Sequence, residues 1–228
     1  MNVARRRIYL MRHAQVRYFE DVDAEHVLLT EDGRRQAEAA RAALERITFD
    51  RVITSGLTRT LETASIVAPG IEAEARYALR EIESGEIRGV PPDTVQEMMS
   101  TAFRGVVPLE TRFLGGESIA ELFDRVLPEL GALLADETWD VLLLILHGAV
   151  NRAILSHALT GNRIFLGGFE QSFGCINVLD VAGDGTWTVR AANHTAYDPA
   201  HVDATRATTM EHLWEEYLAA RARRRAQS

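Results

Sequence analysis

The chain has 228 residues, 46% hydrophobic and 25% charged, with a formal net charge of -8, a composition that suits a folded globular protein with one sizeable core. The acid excess excludes a generic nucleic-acid binder, which needs a positive surface to displace phosphate counterions, and the longest apolar stretch, Val141 to Leu146, is far too short to cross a bilayer. All 25 basic residues are arginine, which also excludes Schiff-base chemistry and a phosphate-loop lysine.

In chain order, Arg5-Arg6-Arg7 leads straight into a strand, Arg7 to Met11, with no long apolar leader, so a cytoplasmic location is expected. The strand stops on Arg12-His13. Thr30-Glu31-Asp32-Gly33 opens a helix with a Thr cap and early carboxylates, running to about Arg46. A second short strand, Arg51 to Thr54, meets Ser55 and a helix containing Arg59. Leu79-Arg80-Glu81 follows. From Gly85 to Gly115 the pattern breaks at Gly89, Pro91, Pro92, Gly105 and Pro108, with Met98, Met99 and Phe103 as outward-looking apolar groups, which reads as an inserted cap or as an excursion packed on its own core.

Gly115-Gly116-Glu117-Ser118 then precedes an amphipathic helix, Ile119 to Leu134. The third strand, Val141 to Leu146, ends on His147-Gly148, and a helix runs from Gly148 to Leu159. A hairpin, Cys175 to Val181 and Thr186 to Ala191, turns at Gly183-Asp184-Gly185, and a last helix covers about Thr208 to Arg224, its arginines complementing the helix dipole. Strands alternating with helices give an α/β fold, expected as a single domain over 1–228. Cys175 is the only cysteine and reads as a packed strand residue.

The chemistry lies where the strands end. In an open α/β sheet, ligands sit beyond the carboxyl ends of the strands, so Arg12-His13, Ser55 with Arg59, and His147-Gly148 should converge. A neutral imidazole nitrogen can attack phosphorus and carry the group covalently, while a guanidinium holds two phosphoryl oxygens through paired, charge-assisted hydrogen bonds. His13 is the expected nucleophile, Arg12 and Arg59 the clamps, and His147 a second imidazole charged when phosphate binds. Gly148 lets backbone amides at the next helix start approach the anion. The leaving oxygen needs a proton, for which a carboxylic acid near a bound phosphate is suited.

These motifs together resemble the histidine phosphatase superfamily, the phosphoglycerate-mutase-like group in its Arg-His-Gly/Ala branch, over about Ile8 to Asn193. The resemblance implies a three-layer α/β/α sandwich with a mostly parallel sheet and a small cap over about 85–115. Glu81 matches the family acid in the pattern Leu79-x-Glu81 followed by Gly85. Glu83 competes, because alternation along an extended segment would point both carboxylates the same way. Ser55 and Thr63 match family positions, Ser55 as a phosphate contact or, by preference, a helix cap, and Thr63 as helix-face packing. Gly115 and Gly116 resemble a family Gly-Gly-Glu-Ser segment, for which turn and capping suffice at Gly116 and Ser118.

The loop after the imidazole departs from the pattern: Ala14-Gln15-Val16-Arg17-Tyr18-Phe19 stands where the family often has Gly, then Thr and Asn. Either Gln15 or Arg17 takes over phosphate contacts, or the pocket prefers a more apolar substrate. The expected activity is a phosphomonoesterase acting on a small phosphorylated metabolite through phosphohistidine, without metal or cofactor. A mutase-type isomerase and a catalytically silent phospho-ligand binder stand as alternatives. His194, Asp198 and His201 have irregular spacing for a metal site and read as surface polar groups. No nucleic acid or membrane partner is implied, and a homodimer is compatible with the reading.

Overall fold

The structure, a computed structural model, describes residues 5–19, 25–87, 89–202 and 206–227. Its centre is a six-stranded sheet. The strands are β1 (Arg5–Arg12), β2 (Arg51–Thr54), β3 (Ala73–Ala75), β5 (Val141–Leu146), β7 (Ile176–Ala182) and β8 (Trp187–His194), in the spatial order β3-β2-β5-β1-β7-β8. The pairs β1–β5, β2–β5 and β2–β3 are parallel, and the β7–β8 hairpin adds two antiparallel strands at one edge. β5 reads Val-Leu-Leu-Leu-Ile-Leu because a central parallel strand is covered on both faces.

Alternation along β1 divides the core into two layers. Ile8 and Leu10 pack with Leu142, Leu144 and Leu146 against α4 (Ile119–Ala135) and α5 (Gly148–Thr160). Tyr9 and Met11, with Leu143 and Ile145, face α1 (Glu31–Leu44) and α2 (Thr58–Val67). The sheet is therefore covered by helices on both faces and is mostly parallel, as the sequence implied. On α4, Leu122, Phe123 and Val126 are fully buried, each contributing roughly 1.5–3 kcal/mol of apolar burial. A full capping box, Ser118 with Glu121, starts that helix.

Thr30 caps α1 by accepting from the Gly33 amide at 2.9 Å, and the helix ends at Leu44, two residues before the expected Arg46. The last helix, α6 (Thr209–Gln227), runs beyond the expected Arg224. The stretch 85–115 carries α3 (Pro92–Thr101) and β4 (Val106–Val107), which pairs with β6 (Phe165–Leu166). Met99 is buried with Val95 and Leu114, packed against Met98, Met210, Leu213 and Trp214. Its outward-looking appearance in sequence is thus corrected: α6 supplies the covering surface. The strands β3, β4 and β6 went unread because two or three residues carry no period.

Candidate active site

β1, β2 and β5 point their carboxyl ends the same way, so His13, Ser55 and His147, each the first residue after its strand, gather in one place. The two imidazoles are fully buried with ring centroids 5.3 Å apart. Arg12 and Arg59 are also buried, each 4% exposed. Burial first, then the charges of Arg59 and Arg12, holds the His13 pKa well below its ordinary value, so the ring is neutral. Its single proton is on Nδ1, which donates to the Ala14 carbonyl at 2.8 Å. Nε2 therefore keeps its lone pair, and the Tyr18 hydroxyl donates to it at 3.1 Å.

His147 is likewise pushed well below its ordinary pKa, by burial and then by Arg59, His13 and Arg12. The ring is therefore neutral, and the charge expected of it in sequence requires a proton to be taken up. Its tautomer follows from a chain of hydroxyls. Thr60 donates its proton to the Leu57 carbonyl at 2.7 Å, which leaves Ser55 to donate to Thr60 at 3.1 Å. Nε2 of His147 must then donate to Ser55 at 2.8 Å. Nδ1 is left as a buried acceptor with no hydrogen-bond partner among the described residues, a site that protonation turns into a donor.

Glu81 reaches the start of α5. Its carboxylate accepts from the Gly148 amide at 2.9 Å, the Ala149 amide at 3.1 Å and its own neighbour, Ile82, at 3.0 Å. A carboxylate at a helix start satisfies orphan donors and complements the dipole. Glu83 diverges from it, exposed and paired with Arg80 at 2.7 Å. The backbone there is held by a distant loop: a Cβ on Gly116 would collide with the Glu83 carbonyl, and the Glu117 amide donates to the same oxygen at 2.9 Å. Arg12 donates to the Gln171 carbonyl at 2.6 Å and lies over the Phe173 ring, Cζ 3.9 Å from its centroid.

Arg12, Arg59, Glu81 and Gly148 wall part of a cavity of about 610 Å³, while His13, Ser55 and His147 are fully buried and are not part of that wall. Gln15 and Arg17 do not line it. The Gln15 side chain accepts from the Thr30 hydroxyl at 2.8 Å, and Arg17 is exposed outside the cavity wall. Ser55, read by preference as a helix cap, is not one: Leu57 is the N-cap residue of α2 and makes no side-chain cap bond. Val16 bridges to Leu29 within the core, whereas Phe19 does reach the cavity.

Three contributors were not read from the sequence as site residues. Thr63, taken for packing, accepts from the Ala14 amide at 3.1 Å and donates to the Arg59 carbonyl at 2.7 Å, tying the imidazole loop to the helix that carries Arg59. Arg152 is 3% exposed and lines the cavity, donating to the carbonyls of Gly148 at 3.1 Å and Gly167 at 3.2 Å. Burial lowers its pKa to about 10. Its position four residues after Gly148, on the same helix face, was the available signal. Tyr18 is the third. Cys175 is buried, its thiol pushed up to about 12 by burial, in keeping with packing.

Residues 8–195 match the family described as Histidine phosphatase superfamily (branch 1). The chain is 31% identical over 183 residues, 77% of its length, to an Arabidopsis thaliana protein named "Probable 2-carboxy-D-arabinitol-1-phosphatase", and spans 38% of that protein's length. It is 30% identical over 181 residues to Phosphoserine phosphatase 1 of Hydrogenobacter thermophilus, covering 75% of this chain and 82% of that one. The fold is similar to the solved mycobacterial glucosyl-3-phosphoglycerate phosphatase, with a TM-score of 0.67 and 23% identity over 83% of this chain and 99% of that one. With the matched span covering most of its length, the chain belongs to the histidine phosphatase superfamily, a family of phosphatases and phosphoglycerate-mutase-like proteins.

Proposed function

We propose that the chain is a phosphomonoesterase that hydrolyses a small phosphorylated metabolite through a phosphohistidine at His13. The observation that carries this reading is the Nδ1 bond to Ala14, which fixes the tautomer and leaves Nε2 with its lone pair, on a ring that feels the charges of Arg59 and Arg12. Tyr18 turns aside as the phosphoryl group arrives. Nε2 forms a bond to phosphorus as the bond to the alcohol oxygen breaks, and Glu81 gives that oxygen a proton. Water then attacks phosphorus, the P–N bond breaks, and Glu81 takes the water proton, releasing inorganic phosphate.

Arg12, Arg59 and protonated His147 bind the equatorial oxygens and act most strongly in the transition state, where charge on those oxygens shifts inside a dry site. The positive charge comes from side chains, so the reading calls for no metal. The Gly148 and Ala149 amides, offered to the anion in the sequence reading, are held by the Glu81 carboxylate, so the reading gives the phosphate to the three basic side chains with Glu81 beside it. Segment 85–115 serves as the cap over the organic portion. The experiment is phosphate release from a simple alkyl phosphate by the parent and by His13→Ala: the reading requires release from the first and none above background from the second.

A further inference from the structure

The cavity beyond the phosphoryl groups is walled by rings and branched aliphatic chains. Next to Arg12 lie Phe173 and Tyr18; farther out are Phe19, Phe113, Leu114 and Leu213. These come from four separate segments, the loop after β1, segment 85–115, the stretch between β6 and β7, and α6, so the apolar lining is not one face seen by chance. Phe19 adopts φ +62°, a left-handed conformation that a bulky side chain rarely takes. Its ring meets Tyr217 of α6 with centroids 5.5 Å apart. The chain thus holds a strained apolar residue at the cavity wall, at a loop position where Asn would be conformationally easier.

Polar groups in the same wall are largely spent on one another. Arg80 pairs with Glu83 at 2.7 Å, and Tyr77 donates to Glu25 at 2.6 Å. Arg152 is committed to two carbonyls, and Glu216 accepts from the Tyr18 amide at 3.2 Å. A ligand hydroxyl entering here must compete with these pairs for a partner, whereas a ring or branched chain loses only apolar hydration. The volume, about 610 Å³, accommodates a group of that size.

From this lining we infer that the substrates are phosphomonoesters of aromatic or branched apolar alcohols rather than of polyols or amino acids, an inference that rests on the phosphatase reading. Phe19 and Phe113 are specificity-determining residues: they select the alcohol and take no part in phosphoryl transfer.

The test compares benzyl phosphate with glycerol 3-phosphate, both esters of primary alcohols and so similar in intrinsic reactivity. In parallel, benzylphosphonate and 2,3-dihydroxypropylphosphonate are measured as competitive or calorimetric ligands. The expected result is a kcat/KM at least about tenfold higher for the benzyl ester, with the phosphonates in the same order. Phe19→Asn, which relieves the left-handed strain while placing an amide in the wall, should reduce that ratio by about tenfold, and Phe113→Asn should act in the same direction. Hydrolysis of both esters with glycerol 3-phosphate equal or preferred overturns the inference and leaves the phosphatase reading intact. Absence of turnover with either ester, alongside tighter benzylphosphonate binding, removes the phosphatase reading and leaves the apolar ligand class standing. Equal phosphonate binding with no turnover removes both.

Discussion

The Tyr18 hydroxyl donates to Nε2 of His13 at 3.1 Å, so a phenol covers the nitrogen that carries the lone pair. The loop is held there by the Tyr18 amide on Glu216 and by the Phe19 ring on Tyr217, two ties to the carboxy-terminal helix. An anion reaching His13 must break the phenol bond, which is worth about 0.5–1.5 kcal/mol. Tyr18→Phe should therefore bind vanadate or phosphate tighter by roughly 2–10-fold. Weaker binding by tenfold or more in a vanadate titration would instead make the hydroxyl a contact to the bound anion.

The two carboxylates of the Glu81 segment should separate clearly in kinetics. Glu81→Gln keeps one acceptor oxygen for the α5 amides, which the two carboxylate oxygens now share, but cannot relay a proton, so kcat for an alkyl phosphate should fall by about 10²–10⁴. Glu83→Gln, removing only the partner of Arg80, should cost less than about tenfold. Steady-state kinetics with one alkyl ester decides between them, and the reverse order would reassign the acid.

Much of this was legible in the sequence, because the groups that matter end apolar runs whose direction the α/β pattern sets. His13, Ser55 and His147 each follow a strand, so their convergence follows from parallel pairing. The Glu81 register came from a short motif, and its separation from Glu83 did not, since it shows only in their partners, the α5 amides for Glu81 and Arg80 for Glu83. Gln15 was misplaced for a similar reason: the residue stands beside the imidazole in sequence, but the Thr30 hydroxyl claims its side chain. Thr63 and Arg152 look like ordinary helix residues until packing shows which backbone groups they hold.

Thr63→Val tests one of those holds. The Ala14 amide would lose its acceptor in a fully buried site, and an unsatisfied buried donor costs about 1–3 kcal/mol. Urea denaturation should show a loss of that size, with reduced kcat because the loop carrying His13 is loosened. A loss below about 0.5 kcal/mol would mean that another group satisfies the amide.

Acid should destabilise the fold through the buried imidazoles. Both histidines have pKa values lowered in the folded state, so below the unfolded value of about 6.5 the unfolded chain binds more protons. Their contribution is fully present above that pH and is lost as pH falls through 6.5 toward the folded values, at about 1.4 kcal/mol per pH unit for each histidine. Denaturation midpoints measured from pH 7.5 to 5 should fall, and His147→Gln should flatten the slope. A parent slope unchanged in that variant would remove His147 from the linkage.

Anion binding should run with proton uptake at His147. Its Nδ1 lacks a partner among the described residues and can meet an anion only after gaining a proton, so sulfate, which does not titrate in this range, should bind tighter as pH falls from 8 to 6. The gain is bounded at about tenfold per pH unit. Calorimetry in buffers of different ionisation heat should register the proton taken up; pH-independent affinity would contradict the assignment.

The most direct measurement is capture of the covalent intermediate. Rapid mixing with a radiolabelled phosphomonoester, followed by an alkaline quench, should yield a base-stable, acid-labile phosphoryl group on the peptide bearing His13, absent from the His13→Ala protein. Turnover without such a label, or a label that persists on another residue in His13→Ala, would contradict the account.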